Sequence, residues 1–217
     1  MRLIVPPGVY RPQEDTRLLT AALRREALPR AARVLDVGTG SGVLAIAAAR
    51  QGAAEVTAVD VCARAVLTAR LNGLLARHRI RAVRGDLLSP VAGERFDVVL
   101  ANPPYLPTPP GRCPPRGAAR TRDGGRDGRV VLDRLCADVA AVLRPSGVLL
   151  LVHSALCGVG PTLALLTAAG LRPRVMERRV VPLGPVTHSR SEWLRQRGLL
   201  APGQETEELV VIRAQRL

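Results

Sequence analysis

The sequence predicts an α/β protein built on a doubly wound, mostly parallel sheet of seven strands. Three observations carry that expectation. First, the apolar run Val34-Leu35-Asp36-Val37 ends in the turn Gly38-Thr39-Gly40-Ser41-Gly42, and the helix-forming Leu44-Ala45-Ile46-Ala47-Ala48-Ala49-Arg50 follows at once. A strand, a glycine-rich turn and a helix in that order open a nucleotide-binding βαβ unit. Second, apolar runs at 55–60, 80–84, 96–101, 148–152, 174–181 and 208–213 alternate with helical patterns, as strands joined by crossovers do. Third, acidic residues stand at three successive strand ends, Asp36, Asp60 and Asp86. One such residue is an ordinary solvated loop charge; three in step line a common crevice.

Residues 1–33 form a helical segment ahead of the first strand. Asp15 or Thr16 caps a helix over 17–26, in which Leu18, Leu19, Ala22 and Leu23 make an apolar stripe. Gly52 stops the helix after the glycine turn, and a further helix covers 63–73. The fourth strand runs into Asn102-Pro103-Pro104-Tyr105, followed by a proline- and glycine-rich substrate loop, 106–128, expected to be mobile until something binds. A helix over 129–143 and another over 161–169 flank the strongest strand. Between the last two strands lies an insertion, 182–204, with a short helix at 191–197 that carries the only tryptophan, Trp193. At 217 residues the whole chain, 1–217, is expected to be one domain.

The composition is 47% hydrophobic but only 2% aromatic, so the core is aliphatic. A formal charge of +14 would ordinarily point to a polyanionic partner. Every basic side chain apart from histidine is arginine, however, and Ala, Gly and Pro abound, as GC-rich coding also produces. Both readings of the charge stand. Cys62, Cys113, Cys136 and Cys157 form no C-x-x-C pair, which argues against a zinc site and, with no export signal, for reduced thiols in the cytoplasm. The stretch 145–171 is long enough to span a bilayer, but Gly147, Gly158, Gly160 and Pro161 cut it into a strand and a helix. No membrane association is expected.

The glycine spacing departs from the dinucleotide fingerprint, because Val43 occupies the place of its third small residue. Asp36-x-Gly38-x-Gly40-x-Gly42 looks instead like the first motif of class I S-adenosylmethionine-dependent methyltransferases, whose ligand is zwitterionic and carries no pyrophosphate. The glycines permit a tight turn and close backbone approach, and Asp36 is expected to point its charge into the crevice. Asp60 would accept hydrogen bonds from the cofactor ribose, Asp86 would meet the adenine amino group, and Leu87 would offer its backbone N–H to the ring.

Asn102-Pro103-Pro104-Tyr105 is the most specific signature. The two prolines stiffen an extended turn and remove its backbone donors. The Asn102 side-chain oxygen and the Pro103 carbonyl are then free to converge on the hydrogens of an NH2 group. Such a nitrogen is a poor nucleophile while its lone pair is delocalised, and two acceptors draw it toward tetrahedral geometry. Catalysis here is positioning and electrostatic preorganisation. Tyr105 would pack on the flat group that carries the nitrogen.

With these motifs the chain resembles the HemK-type glutamine N5-methyltransferases, which modify the Gly-Gly-Gln loop of translation release factors, and within them the short archaeal and eukaryotic-type branch. Val9-Tyr10-Arg11-Pro12-Gln13-Glu14-Asp15-Thr16 is similar to that branch's opening motif, in which the threonine reaches the cofactor carboxylate and Tyr10 joins the cofactor site. Gly124-Gly125-Arg126-Asp127-Gly128-Arg129 matches the element after the substrate loop. The resemblance implies S-adenosylmethionine as methyl donor, S-adenosylhomocysteine as product, a release factor as protein substrate, and no metal. Relatives often work with a small zinc-binding partner, which the sequence leaves undecided. Two differences stand out: Arg122 lies where relatives place an aromatic residue, and relatives lack an obvious counterpart of 182–204.

Two other functions compete. A nucleic-acid methyltransferase acting on adenine N6 or cytosine N4 would use the same Asn-Pro-Pro-Tyr logic, but needs aromatic faces for a flipped base and a target-reading module. A non-catalytic binding subunit on the same fold has no need of an intact Asn102-Pro103-Pro104-Tyr105. Arg116, Arg120, Arg122 and Arg126 lie beside the catalytic turn and are expected to help dock the substrate.

Overall fold

The computed structural model describes residues 3–110 and 123–217. Seven strands form one sheet in the order β3-β2-β1-β4-β5-β7-β6. β1 (Arg33–Val37), β2 (Glu55–Asp60), β3 (Arg81–Arg84) and β4 (Phe96–Ala101) are parallel to one another, and β4 pairs in parallel with β5 (Leu143–Ser154). β7 (Thr206–Arg216) runs antiparallel between β5 and β6 (Leu171–Pro182). The sheet is therefore mostly parallel, and its strand order reverses between β1 and β4. In open sheets of this kind that reversal opens a crevice at the carboxyl ends of the strands.

β1 and β4 are buried on both faces, which is why they read as continuous apolar runs. Helices supply the cover. α1 (Glu14–Arg25), α2 (Val43–Arg50) and α3 (Ala63–Leu75) pack side by side, and α4 (Val130–Asp138) packs with α5 (Val159–Ala168). The core is one aliphatic cluster whose largest fully buried side chain is Phe96. Among the described residues no helix is long and apolar enough to cross a membrane, and no acidic, histidine or cysteine group could hold a metal ion.

Several boundaries differ from expectation. α1 starts at Glu14 with Gln13 as its N-cap, so Asp15 and Thr16 lie inside the first turn and neither caps it. α4 stops at Asp138; a 3-10 turn covers Val139–Val142, and β5 has begun by Leu143, before the Pro145-Ser146-Gly147 turn. β6 and β7 are longer than their apolar runs, because β6 pairs along its length while keeping charged side chains exposed at the sheet edge. The segment 182–204 holds two short helices, α6 (Pro185–Ser189) and α7 (Ser191–Gln196). The first was missed, although Gly184-Pro185 is a fair start signal. Arg116, Arg120, Arg122 and most of the substrate loop lie outside the described residues, and so does the expectation that this loop is mobile.

The glycine turn has a packing duty as well. Gly42 sits at φ +81°, and a Cβ there would come within 2.9 Å of Ala69 Cα on α3. Gly42→Ala should therefore destabilise the protein by about 2 kcal/mol or more through strain and overpacking together, read as a lower midpoint in denaturant melts. Gly52→Ala, at φ +96° with no atom within 4 Å of the added Cβ, measures the backbone share alone.

Candidate active site

A cleft of about 1330 Å³ opens at the strand-order reversal. Its floor comes from the ends of β1, β2 and β4, and the glycine turn forms one wall. Gly38 N–H and Thr39 N–H donate to the Val59 carbonyl at 2.8 and 3.0 Å, which fastens the turn to the end of β2. Gly38 and Gly40 line the cleft with left-handed backbone. A Cβ on Gly40 would lie 3.6 Å from Tyr10 Cβ, so the space between turn and N-terminal segment is a narrow cradle.

The three carboxylates divide their duties. Asp60 lines the cleft; its Oδ2 accepts from Gly40 N–H at 3.0 Å and its Oδ1 from Cys62 N–H at 2.8 Å. Asp86 lies farther out on the wall, half exposed, with Oδ2 2.7 Å from Arg134 on α4. Leu87 beside it is in the left-handed region at φ +48°. Asp36 does not point into the crevice as expected. It is fully buried beneath the turn, where Oδ2 accepts from Thr39 Oγ1 at 2.6 Å and from Ala45 N–H at 3.0 Å. Burial pushes its carboxyl up to about 7, against the hydrogen bonds from Thr39 and Ala45. Its Oδ1 has no hydrogen-bond partner among the described residues. Gly42 likewise lies outside the lining, against α3.

The Asn102-Pro103-Pro104-Tyr105 turn leans on Asp15, which the sequence alone marks as a candidate helix cap. Asp15 is 4% exposed, and its Oδ2 accepts from Tyr10 Oη at 2.7 Å and from Tyr105 Oη at 3.0 Å. Its Oδ1 accepts from the Thr16 backbone N–H and from Thr16 Oγ1, at 2.5 and 3.1 Å. Because a carboxylate only accepts, the Thr16 hydroxyl proton is spoken for, and Thr16 Oγ1 is left to accept from Asn102 Nδ2 at 3.3 Å. That contact fixes which end of the Asn102 amide is which. Nδ2 faces Thr16, and Oδ1 is the end left for the cleft. Thr16 itself is buried behind the wall rather than lining it, contrary to the reach that the resemblance implied. Burial and the Asp15 charge push the Tyr105 phenol well above its usual range, so it stays a neutral donor.

The back of the turn is held as firmly. Gly128 lies so close that a Cβ would meet the Tyr105 carbonyl at 2.3 Å. The Cys157 thiol donates to the same carbonyl at 2.8 Å, and Arg129 donates to the Cys157 carbonyl at 2.6 Å. The spacing of Gly124-Gly125-Arg126-Asp127-Gly128-Arg129 thus brings a bare backbone and a buried guanidinium behind Tyr105. Arg126 is exposed on this turn.

The far wall was not foreseen. Pro182, Gly184, Pro185 and Thr187 line it, with Glu207 at the start of β7. Glu207 is 6% exposed, accepts from Thr187 Oγ1 at 3.2 Å, and is pushed up from the usual carboxylate range by burial. No sequence motif marks it. Only its place among the apolar residues of the last strand could have singled it out.

Comparison with known proteins decides the family. The methyltransferase small domain model matches residues 1–108. A protein of Methanocaldococcus jannaschii named as an N5-glutamine methyltransferase is 35% identical over 84% of this chain and 90% of its own length. The chain belongs to the protein N5-glutamine methyltransferase family. This methyltransferase is an S-adenosylmethionine-dependent N-methyltransferase. It is also 40% identical to the release factor glutamine methyltransferase of Deinococcus radiodurans over 69% of this chain, but spans only 54% of that protein. Among solved structures, a chain of the E. cuniculi Mtq2–Trm112 complex, described as responsible for methylation of the eRF1 termination factor, matches with a TM-score of 0.66 and 28% identity. The match covers 97% of the methyltransferase and 99% of that chain.

Asp15→Asn tests the hub. Two tyrosine hydroxyls and Thr16 lose a charged acceptor, and hydrogen bonds to charged groups contribute about 1.5–3 kcal/mol each. Denaturant melts should show a loss of at least that size. A variant as stable as the wild type would mean the carboxylate does not hold the turn.

Proposed function

We propose that this methyltransferase transfers the methyl group of S-adenosylmethionine to the N5 nitrogen of a glutamine side chain in a translation release factor. The observation that carries the reading is the Asn102 amide, whose oxygen end is left for the cleft by the Asp15–Thr16 relay, next to a Pro103 that has no N–H to offer. The chemistry such a pair supports is orientation of a planar NH2 group. Asn102 Oδ1 and the Pro103 carbonyl accept its two hydrogens, the nitrogen loses conjugation, and its lone pair turns toward the methyl donor. No strong base is required, because the proton becomes acidic only once the nitrogen has formed its new bond.

The residues fit the cofactor. Gly38 and Gly40 leave a cradle that side chains would fill, and Asp60 and Asp86 present carboxylates along it. Tyr10, Gly38, Gly40 and Asp60 would hold the amino-acid and ribose portions, and Asp86 with Leu87 the adenine. Asp36, Thr16 and Gly42 support this from behind, by fixing the turn, the Asn102 amide and α3. Bound there, S-adenosylmethionine supplies an electrophilic methyl on a sulfonium, and S-adenosylhomocysteine is the product. Asp36 adds electrostatics, since a buried carboxyl with an unsatisfied oxygen under the turn favours a cation above it once ionised. The release factor reading follows from the relatives' shared activity, as does a cytoplasmic site of action. The Mtq2 relative is a two-chain assembly. We read the exposed leucines of α3, Leu67, Leu71 and Leu74, as the face where a small partner subunit would find apolar contact.

The deciding experiment is transfer of labelled methyl to purified release factor, to its Gln→Ala variant in the Gly-Gly-Gln loop, and to total RNA and DNA. Label on the first alone is expected; label on nucleic acid but not protein would move the activity to a base amino group.

Asn102→Ala should lower kcat by about 10²–10³, as loss of one preorganised hydrogen-bonding group does elsewhere, while cofactor affinity stays near that of the wild type. Asn102→Asp should also be slow, because a charge beside the sulfonium stabilises the ground state more than the charge-dispersed transition state. Near-normal turnover in Asn102→Ala would sink the mechanism. Asp60→Ala should weaken S-adenosylmethionine binding by about 1.5–3 kcal/mol per lost charged hydrogen bond, measured by calorimetry.

Asp36 gives a pH signature. Its carboxyl is held near 7 in the folded protein, and a cationic ligand favours the ionised form. Affinity for S-adenosylmethionine should therefore rise as pH climbs through about 7, with protons released on binding. Calorimetry in buffers of different ionisation enthalpy reads that release, and Asp36→Asn should abolish it. Equal apparent enthalpies in all buffers would remove Asp36 from the linkage.

A further inference from the structure

The segment between β6 and β7 has no duty in the chemistry described above, yet one of its side chains crosses to the loop that follows the catalytic turn. Arg190, between α6 and α7, is 7% exposed. Its Nη2 donates to Asp123 Oδ1 at 2.6 Å, and Asp123 is itself 8% exposed. Its Nη1 donates to the Pro107 carbonyl at 2.9 Å and lies 3.4 Å from Thr108 Oγ1. Pro107 and Thr108 leave the catalytic turn; Asp123 returns toward it. The two stems also meet directly, with Gly124 N–H donating to the Leu106 carbonyl and Thr108 N–H to the Gly125 carbonyl, both at 2.9 Å. One guanidinium therefore grips both stems, the outgoing one just beyond Tyr105 and the returning one at Asp123.

This is an expensive contact to place in a fold. Burying a guanidinium and a carboxylate away from water carries a large desolvation penalty that their attraction must offset, and Arg190 Nε has no hydrogen-bond partner among the described residues. The contact is also hard to replace. A planar fork reaches two acceptors at once, where an ammonium is a point charge on a flexible stem. What it fixes lies on one half of the cleft. Leu106, Asp123 and Gly125 line that half together with Gly184, Pro185 and Thr187 of the gripping segment. Among the described residues, the hydrogen-bond partners of Arg190 are Pro107, Thr108 and Asp123, all outside the cofactor cradle from Gly38 to Asp60.

We propose that Arg190 is a positioning residue for methyl transfer: through Asp123 and the Pro107 carbonyl it sets the acceptor half of the cleft. The role of 182–204 is then to supply the wall against which the acceptor peptide is held. This rests on the reading of the cleft as a site for a protein glutamine.

The test uses the full chain with release factor as acceptor. Arg190→Gln and Asp123→Asn should each raise the acceptor KM by about tenfold or more, with a smaller fall in kcat and an unchanged dissociation constant for S-adenosylmethionine. The double variant should be little worse than either single, because both remove one interaction. Arg190→Lys should fall between wild type and Arg190→Gln. A structural role alone is excluded by Leu166→Ala, a cavity variant in α5, where the side chain is fully buried. It should lower Tm at least as much as Arg190→Gln and leave the acceptor KM alone. If Arg190→Gln keeps the wild-type KM, or if its KM and cofactor affinity worsen together, the assignment to Arg190 fails while the substrate reading stands. If the wild-type enzyme does not label release factor at all, the substrate reading fails and this inference falls with it.

Discussion

The buried carboxylate of Asp15 is the point on which the site turns. It accepts from Tyr10 ahead of α1, from Thr16 within it, and from Tyr105 beyond β4. An acceptor with no proton to give forces every partner to donate, so the direction of each hydrogen bond around it is settled. Thr16 passes that direction on to Asn102. The Asn102 amide is thus oriented by a carboxylate that it does not itself touch. Preorganisation here is a matter of hydrogen-bond polarity as much as of distance.

The arginine-rich composition takes on a different meaning beside this. Arg129 and Arg190 are buried and grip backbone carbonyls around the Asn102-Pro103-Pro104-Tyr105 turn and the stems beyond it. Arg213 on β7 pairs with Glu26 just past α1, joining the antiparallel half of the sheet to the N-terminal helix, and that bond raises its pKa further. These side chains are mortar. They explain why some of the cations are needed without any polyanion, although many others remain on the surface with a net charge of +14.

Much of the architecture was legible because it is written in local chemistry. The glycine turn after a buried strand, acidic residues at successive strand ends and the stiff Asn102-Pro103-Pro104-Tyr105 turn each follow from what a few adjacent residues can do. What escaped is non-local. Asp15 read as a cap because helix starts favour such residues, and only the fold brings two tyrosines to it. Asp36 read as a crevice charge because it ends a strand, but side chains alternate and it faces down under the turn. Glu207 and Arg190 carry no motif, since their partners lie 20 and 67 residues away in sequence. The ends of α4 and β6 were misjudged for a related reason: tertiary pairing extends or cuts an element that propensity alone would draw otherwise.

The Asp15 relay also bears on the order of folding. Its contacts to Tyr105 and from Thr16 to Asn102 close loops of 90 and 86 residues. Contacts of such long range cannot form until the intervening crossovers have been laid down, since chain-closure entropy is spent before they return anything. The glycine turn and the end of β2, by contrast, are within about twenty residues of each other. A nascent or partly opened chain can therefore close the glycine turn onto β2 before the Asn102 amide is aimed.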